Sequence, residues 1–171
     1  MFAANQAGLA AQTDQDFIQT ILMDEERRGI EFATEQMAEY APHLVGELVW
    51  ILDDDDLCTL PIFVAGLKRI AAQHNPDVIM VRMDHGGGRI LPSARWGKSP
   101  RVSEIGISAF VVRREWWKRH AHAMIPGAYT SDFSFIESIW ASYPEIFWWD
   151  VVASRCQRQS VGMAETEAVE A

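Results

Sequence analysis

Cysteine is scarce: the chain has two, Cys58 and Cys156, in 171 residues. That is too few for a disulfide framework, and neither sits in a CxxC or Cys/His spacing that would hold a structural metal. Both read as reduced thiols of a cytoplasmic protein. Basic residues are also in short supply, 15 against 24 acidic ones, for a net charge of −9. Non-specific attraction to nucleic-acid phosphates needs the opposite balance, so no nucleic acid is expected as a partner. No apolar run reaches the ~18 residues that would suggest a membrane span. The opening stretch, residues 1–12, lacks the basic-then-apolar order of a signal peptide. No internal repeat or Pro/Gly-rich linker divides the chain.

What is present is a globular composition, with 49% hydrophobic residues. Residues 1–163 read as a single domain large enough to bury a core. Residues 164–171 carry acidic side chains without a core pattern and read as a mobile tail. Seven tryptophans include two adjacent pairs, Trp116-Trp117 and Trp148-Trp149. Such pairs can stack on a sugar, but core or interface packing is their more frequent use.

Hydrophobic periodicity organises the rest. Residues 2–12 have helical composition. Phe17 to Met23 is a β-branched apolar run that reads as a buried strand. Ile30, Ala33, Met37 and Ala41 keep helical spacing up to Pro42. Leu48 to Leu52 is a second buried strand, followed by Asp53-Asp54-Asp55-Asp56. A helix opens at Leu60-Pro61 with Phe63, Leu67 and Ile70 inward, and Pro76 follows it. Asp77 to Met83 is a third strand, and residues 89–92 return antiparallel after a Gly-rich turn. Ile105–Val112 reads as strand, Arg113–Met124 as helix, and a helix over 132–142 is capped by Ser131. A last strand lies between Glu145 and Ser154. Strands alternating with helices predict an α/β sandwich on a mixed, mainly parallel sheet, with ligands beyond the strand ends.

Four adjacent carboxylates at a strand end repel one another. A divalent cation relieves that repulsion, and hard oxygen ligands suit Mn²⁺ or Mg²⁺. An exposed acidic turn ahead of the next helix is the alternative, and charge spacing alone does not separate the two. The run His85-Gly86-Gly87-Gly88-Arg89 would let backbone approach a phosphate, although it has no P-loop Lys-Ser/Thr and a plain hairpin tip is the stronger reading. His120 and His122, two apart on a helix, do not share a face and read as surface residues.

In order along the chain, several segments resemble the nucleotide-sugar-dependent glycosyltransferases of the GT-A fold, most closely the family-2 type. Gly46 to Asp56 follows that family's G-E-Y/L-V/I-x-x-L-D-x-D-D pattern, which contains its DXD motif. Leu9 to Phe17 looks like its S-L/I-x-x-Q-T-x-x-D/N-F/W element, and Asp24-Glu25 falls where it has an acidic pair at the base. Arg28-Gly29 with Ala33 looks like its G-x-x-x-A element. Ile105–Arg114 resembles the strand before the acceptor-side helix, and Ser131 to Phe135 its E/D-D-x-x-F/L element.

The resemblance implies a GT-A-like three-layer sandwich that moves a sugar from a nucleoside-diphosphate sugar, of UDP or GDP type, to an unknown acceptor. It implies Asp24, Glu25, Arg28 and Asp53 at the nucleotide, Asp53, Asp55 and Asp56 at Mn²⁺ or Mg²⁺, and Asp132 as general base. The family begins with a strand ending in a P-x-Y-N-like motif, and this chain starts just after the corresponding point. An edge strand would then be unpaired, and a homodimer is one arrangement that would cover it. A non-catalytic, truncated binding or assembly module is therefore the second reading, and a metal-dependent nucleotidyltransferase the third.

Overall fold

The computed structural model of the chain describes residues 2–157; the expected acidic tail, residues 164–171, and the last part of the expected domain lie outside the described residues. The elements in chain order are α1 (Phe2–Ala10), α2 (Ile30–Tyr40), β1 (Leu48–Trp50), β2 (Asp56–Cys58), α3 (Phe63–His74), β3 (Val78–Asp84), β4 (Ile90–Leu91), β5 (Phe110–Arg113), α4 (Arg114–His120), α5 (Ser131–Trp140) and β6 (Ile146–Cys156). Short 3₁₀ segments cover Ala41–His43, Ile107–Ala109 and Ala121–Thr130.

The strands form one sheet in the order β1-β5-β3-β6-β2, with β4 beside the end of β3. The centre is β3, whose Val78, Ile79, Met80 and Val81 are all essentially inaccessible, as expected of a strand covered on both faces. Its side chains alternate between two cores. Val78 and Met80 join Phe110, Val112, Trp117, Phe135, Ile136 and Ile139 under α2, α4 and α5. Ile79 and Val81 join Val111, Ala153 and the Phe63, Leu67 and Ile70 stripe of α3. Helices thus cover both faces. The two tryptophan pairs are structural: Trp117 is buried, Trp148 packs against the first core and Trp149 against the second.

Local chemistry ends α3 where the sequence suggests. Asn75 takes a left-handed conformation, φ 48°, and its N–H reaches the Ala71 carbonyl, with Pro76 preventing continuation. The glycines after His85 build a hairpin tip: Gly86, Gly87 and Gly88 all have positive φ, and His85 N–H donates to the Arg89 carbonyl at 2.8 Å.

The sheet is mixed but not mainly parallel. Among the described residues only β3 and β6 pair in parallel, while β1–β5, β3–β5, β3–β4 and β2–β6 are antiparallel. Alternating elements do not decide direction by themselves, and here β5 and β2 enter from the opposite end. Phe17–Met23 is not a strand either. It is irregular, with Ile18 72% and Met23 65% exposed, because no neighbouring strand offers it backbone partners. Across from it, β1 pairs among the described residues only with β5. His120 is not a plain surface residue: its ring stacks on Trp116 and its Nδ1 lies 3.1 Å from Ser138 Oγ.

The face of α3 against the sheet leaves no space at Gly66, where a Cβ would overlap the Trp149 indole, itself stacked on Phe63. Gly66→Ala is expected to lower stability by about 1–3 kcal/mol through overpacking, measured by thermal and urea unfolding; unchanged stability would mean that α3 is not seated on Trp149.

Candidate functional site

The carboxylates gather where the ends of three strands meet. Asp56 opens β2 opposite Cys156 of β6, and Asp84 at the end of β3 pairs with Arg155 of β6. The Asp53–Asp56 segment turns back on itself, Asp56 N–H donating to the Asp53 carbonyl at 3.0 Å. This places Asp54 and Asp55 at the apex of a four-residue turn. The Asp55 carbonyl accepts the Gln157 N–H at 2.8 Å.

Beside this turn is a concavity of about 320 Å³, lined by Asp53, Asp55, Asp56 and His85 and, from the opposite wall, by Tyr129, Ser131 and Asp132, with the first turns of α2 along one side. Asp132 and three residues of the aspartate run therefore line one concavity. Neither lysine nor arginine is among the described residues that line it. A larger trough of about 910 Å³ runs between β1, α3 and residues 16–20. It lies beside the edge of β1 that has no strand partner among the described residues, and it lacks the clustered carboxylates of the smaller concavity.

The four aspartates have different surroundings. Asp56 is 3% exposed. Its Oδ2 accepts a hydrogen bond from Ser108 Oγ at 2.8 Å, and Ser108 Oγ lies 2.8 Å from Ser154 Oγ. Cys156 stands opposite Asp56 in the β2–β6 ladder. A buried carboxylate without such donors would be strongly disfavoured. Asp54 is exposed. Asp53 and Asp55 face the concavity.

Protein crowding around Asp53, followed by the charges of Asp56, Asp55, Asp54 and Asp132, pushes its carboxyl up to about 7. The Asp53 residue is nevertheless exposed at the rim, so the neighbouring carboxylates are the firmer cause of the upward direction. Asp55 is raised by burial and then by Asp56 and Asp54. Asp132 is raised by burial, against the pull of the Phe133 N–H that bonds it at 2.6 Å. The Cys156 thiol is also raised, by burial and then by its bond to Asp56. It stays protonated and is no thiolate nucleophile, although its sulfur lies 3.6 Å from His85 Nδ1.

Among the described residues, no three His, Cys, Asp or Glu side chains converge to hold a metal ion by themselves. The donor set fits a different arrangement. Mn²⁺ or Mg²⁺ is commonly held by one or two carboxylates and completed by phosphate oxygens and water, and Asp53 and Asp55 are free to serve so. Asp56 is engaged with Ser108.

Asp24, Glu25 and Arg28 lie in the turn before α2, outside the lining of this concavity. Asp24 accepts from Arg28 Nε at 3.3 Å and from the Gly29 N–H at 3.1 Å, and the Arg28 guanidinium rests over Phe32. Ser108, Cys156 and Tyr129 were not recognised from sequence, because nothing in their local pattern marks them; only the meeting of strand ends does.

The raised Asp53 carboxyl has a consequence for stability. The folded state keeps this proton to about pH 7, whereas the unfolded chain releases it near the usual carboxylate value of 3.8. The stabilising preference is therefore fully present below that value and is lost as pH rises through about 7. Asp53→Asn is expected to exceed wild type in stability at pH 8 by on the order of 1 kcal/mol after solvent screening, with the gap shrinking at pH 5. Denaturant melts at both pH values measure it, and a pH-independent difference would count against carboxylate crowding.

No family model matches this sequence, and no curated protein matches it. Solved structures do. The crystal structure of S. aureus TarS 1-349 superposes with a TM-score of 0.66 at 15% identity, covering 91% of this chain and 56% of that one. The same TarS fragment in complex with UDP gives 0.60 at 14% identity, over 90% and 55%. Its complex with UDP-GlcNAc gives 0.50 at 15%, over 74% and 39%. The chain thus spans about half the length of the first TarS structures it matches. At this identity the likeness concerns the fold: residues 2–157 adopt a mixed α/β fold similar to that of a glycosyltransferase.

Proposed function

We propose that this chain is a GT-A, family-2-like glycosyltransferase unit that binds a uridine diphosphate sugar through a divalent cation at Asp53 and Asp55. The observation that carries the reading is the convergence of Asp53, Asp55 and Asp132 on one concavity with no lysine or arginine in its described lining. Unaided, such a surface repels a diphosphate. It attracts a cation, and a cation can bring the diphosphate with it. The TarS structures with UDP and UDP-GlcNAc favour uridine as the base.

Bound there, Mn²⁺ or Mg²⁺ supplies charge stabilisation for the departing diphosphate. The chain's own residues do the rest. Asp53 and Asp55 fix the ligand's place. Asp132, across the concavity, accepts the proton of the acceptor hydroxyl as its oxygen bonds to the anomeric carbon, whose bond to the diphosphate breaks. A carboxyl raised by burial is a stronger base than an exposed one, which suits this task. Asp24, Glu25 and Arg28 would reach the base only if the turn before α2 closes over the nucleotide.

A non-catalytic binding or assembly unit is the second reading. It is favoured by the outer edge of β1, which has no partner among the described residues, and by the apolar trough beside it. Pairing of two copies along that edge would be its simplest form.

Calorimetric titration of UDP and GDP, with and without Mn²⁺, separates the readings. UDP is expected to bind only with the metal, and Asp55→Asn to weaken that binding by about tenfold or more. Asp132→Asn should retain UDP affinity and lose turnover of UDP-sugar by about 10²-fold or more. A well-folded wild-type protein that binds neither nucleotide with Mn²⁺ would remove the enzyme reading.

A further inference from the structure

We propose that Asn5 is the positioning residue of the acidic turn. Its side-chain amide ties the two ends of Asp53–Asp56 together and so sets the direction in which Asp53 and Asp55 present their carboxylates. The consequence for ligand binding rests on the nucleotide reading above; the hold on the turn does not.

Asn5 is the buried residue of α1, 3% exposed. Its Nδ2 donates to the Asp53 carbonyl at 2.9 Å and to the Asp56 carbonyl at 3.0 Å. One amide nitrogen carries two protons, one for each carbonyl. Its Oδ1 accepts from Gln6 Nε2 at 3.2 Å, which agrees with the nitrogen being the group aimed at the turn. An aspartate of the same shape would have no proton to offer and would set a further charge beside the carboxylates.

The position of α1 along β2 is itself fixed. Asn5 and Gly8 lie one turn apart on the same helix face. At Gly8 a Cβ would stand 2.7 Å from the Cys58 carbonyl oxygen, so only glycine permits this approach. One turn further, Gln12 Nε2 reaches Cys58 Sγ at 3.2 Å and the Leu60 carbonyl at 2.9 Å, while its Oε1 accepts the Val64 N–H at 3.1 Å. These contacts hold α1 in one longitudinal register, and that register puts Asn5 behind the turn. The carboxylates on the other side of the turn then face the concavity from a fixed backbone. Sequence inspection passes over Asn5 because an asparagine in a short helix carries no motif.

The test joins amide hydrogen exchange to titration of UDP with Mn²⁺. In Asn5→Asp the Asp56 amide, which bonds across the turn to Asp53, should exchange at least about tenfold faster. The amides of Ile79 and Met80 in β3 should stay within twofold of wild type, which controls for global unfolding. Mn²⁺-dependent UDP affinity should fall about tenfold or more, the scale for groups that orient metal-site ligands. Gln6→Ala leaves both donors in place and should behave as wild type. If Asn5→Asp proves globally unstable, Asn5→Ser, which keeps one donor, takes its place under the same criteria. Unchanged Asp56 exchange overturns the proposal, as does faster exchange with undiminished UDP affinity. Faster exchange in a protein whose wild type binds no UDP supports the hold on the turn while removing the nucleotide reading.

Discussion

Carboxylates in succession along a chain must be separated, neutralised or protonated, and the site of this protein follows from how the fold meets that demand at Asp53–Asp56. The chain sends Asp56 inward to Ser108, which is backed by Ser154. It leaves Asp54 in solvent. It turns Asp53 and Asp55 toward a shared concavity, where their repulsion remains and is increased by Asp132. Burying Asp56 costs free energy that its donors offset. The same anchor holds the turn in the one shape that leaves its neighbours directed outward.

The sheet supplies the geometry for that division. Because β3 and β6 run parallel and side by side, their C-terminal ends emerge together. Because β2 runs antiparallel to β6, its first residue arrives at the same place. The concavity therefore lies beyond the ends of β3 and β6, the usual ligand position of an open α/β sheet. The aspartate turn is delivered by the start of a strand and not by the end of β1. Ser108, in the 3₁₀ segment just before β5, completes the inner wall. Three segments far apart in sequence are needed to satisfy one carboxylate, which binds the integrity of the site to that of the sheet.

Much of this was legible in the sequence. The apolar runs of β3 and β5, the Phe63–Leu67–Ile70 stripe of α3 and its stop at Pro76 are local signals, and local physics decides them. Asp53, Asp55 and Asp56, marked by charge and by family pattern, line one concavity with Asp132, which the family pattern alone marked, while Asp24, Glu25 and Arg28 lie outside its lining. The failures have a common cause in pairing. Phe17–Met23 has strand composition, but a strand exists only beside another, and its apolar side chains remain exposed. Strand direction was misread for the same reason, since a connection of given length can return in either sense. The separation of Asp56 from Asp55 depends on the register of β2 against β6, Asp56 opposite Cys156, and a slip of one residue would exchange their roles.

That register also bears on why a ligand is the better account of the concavity than an acidic turn of no consequence. An acidic turn in open solvent would leave its carboxylates hydrated and screened. Here Asp55 and Asp132 are partly buried, Asp53 is crowded by four other carboxylates, and all three are raised from the usual carboxylate value. The described lining offers no lysine or arginine to offset them. The fold carries an electrostatic cost at this one place while it pairs comparable charges elsewhere, as Arg113 does Glu47 and Arg155 does Asp84. Uncompensated charge confined to a concavity is the arrangement in which a cation supplies the missing partner. On the reading proposed here, a cation at Asp53 and Asp55 would keep open positions for the oxygens of a diphosphate.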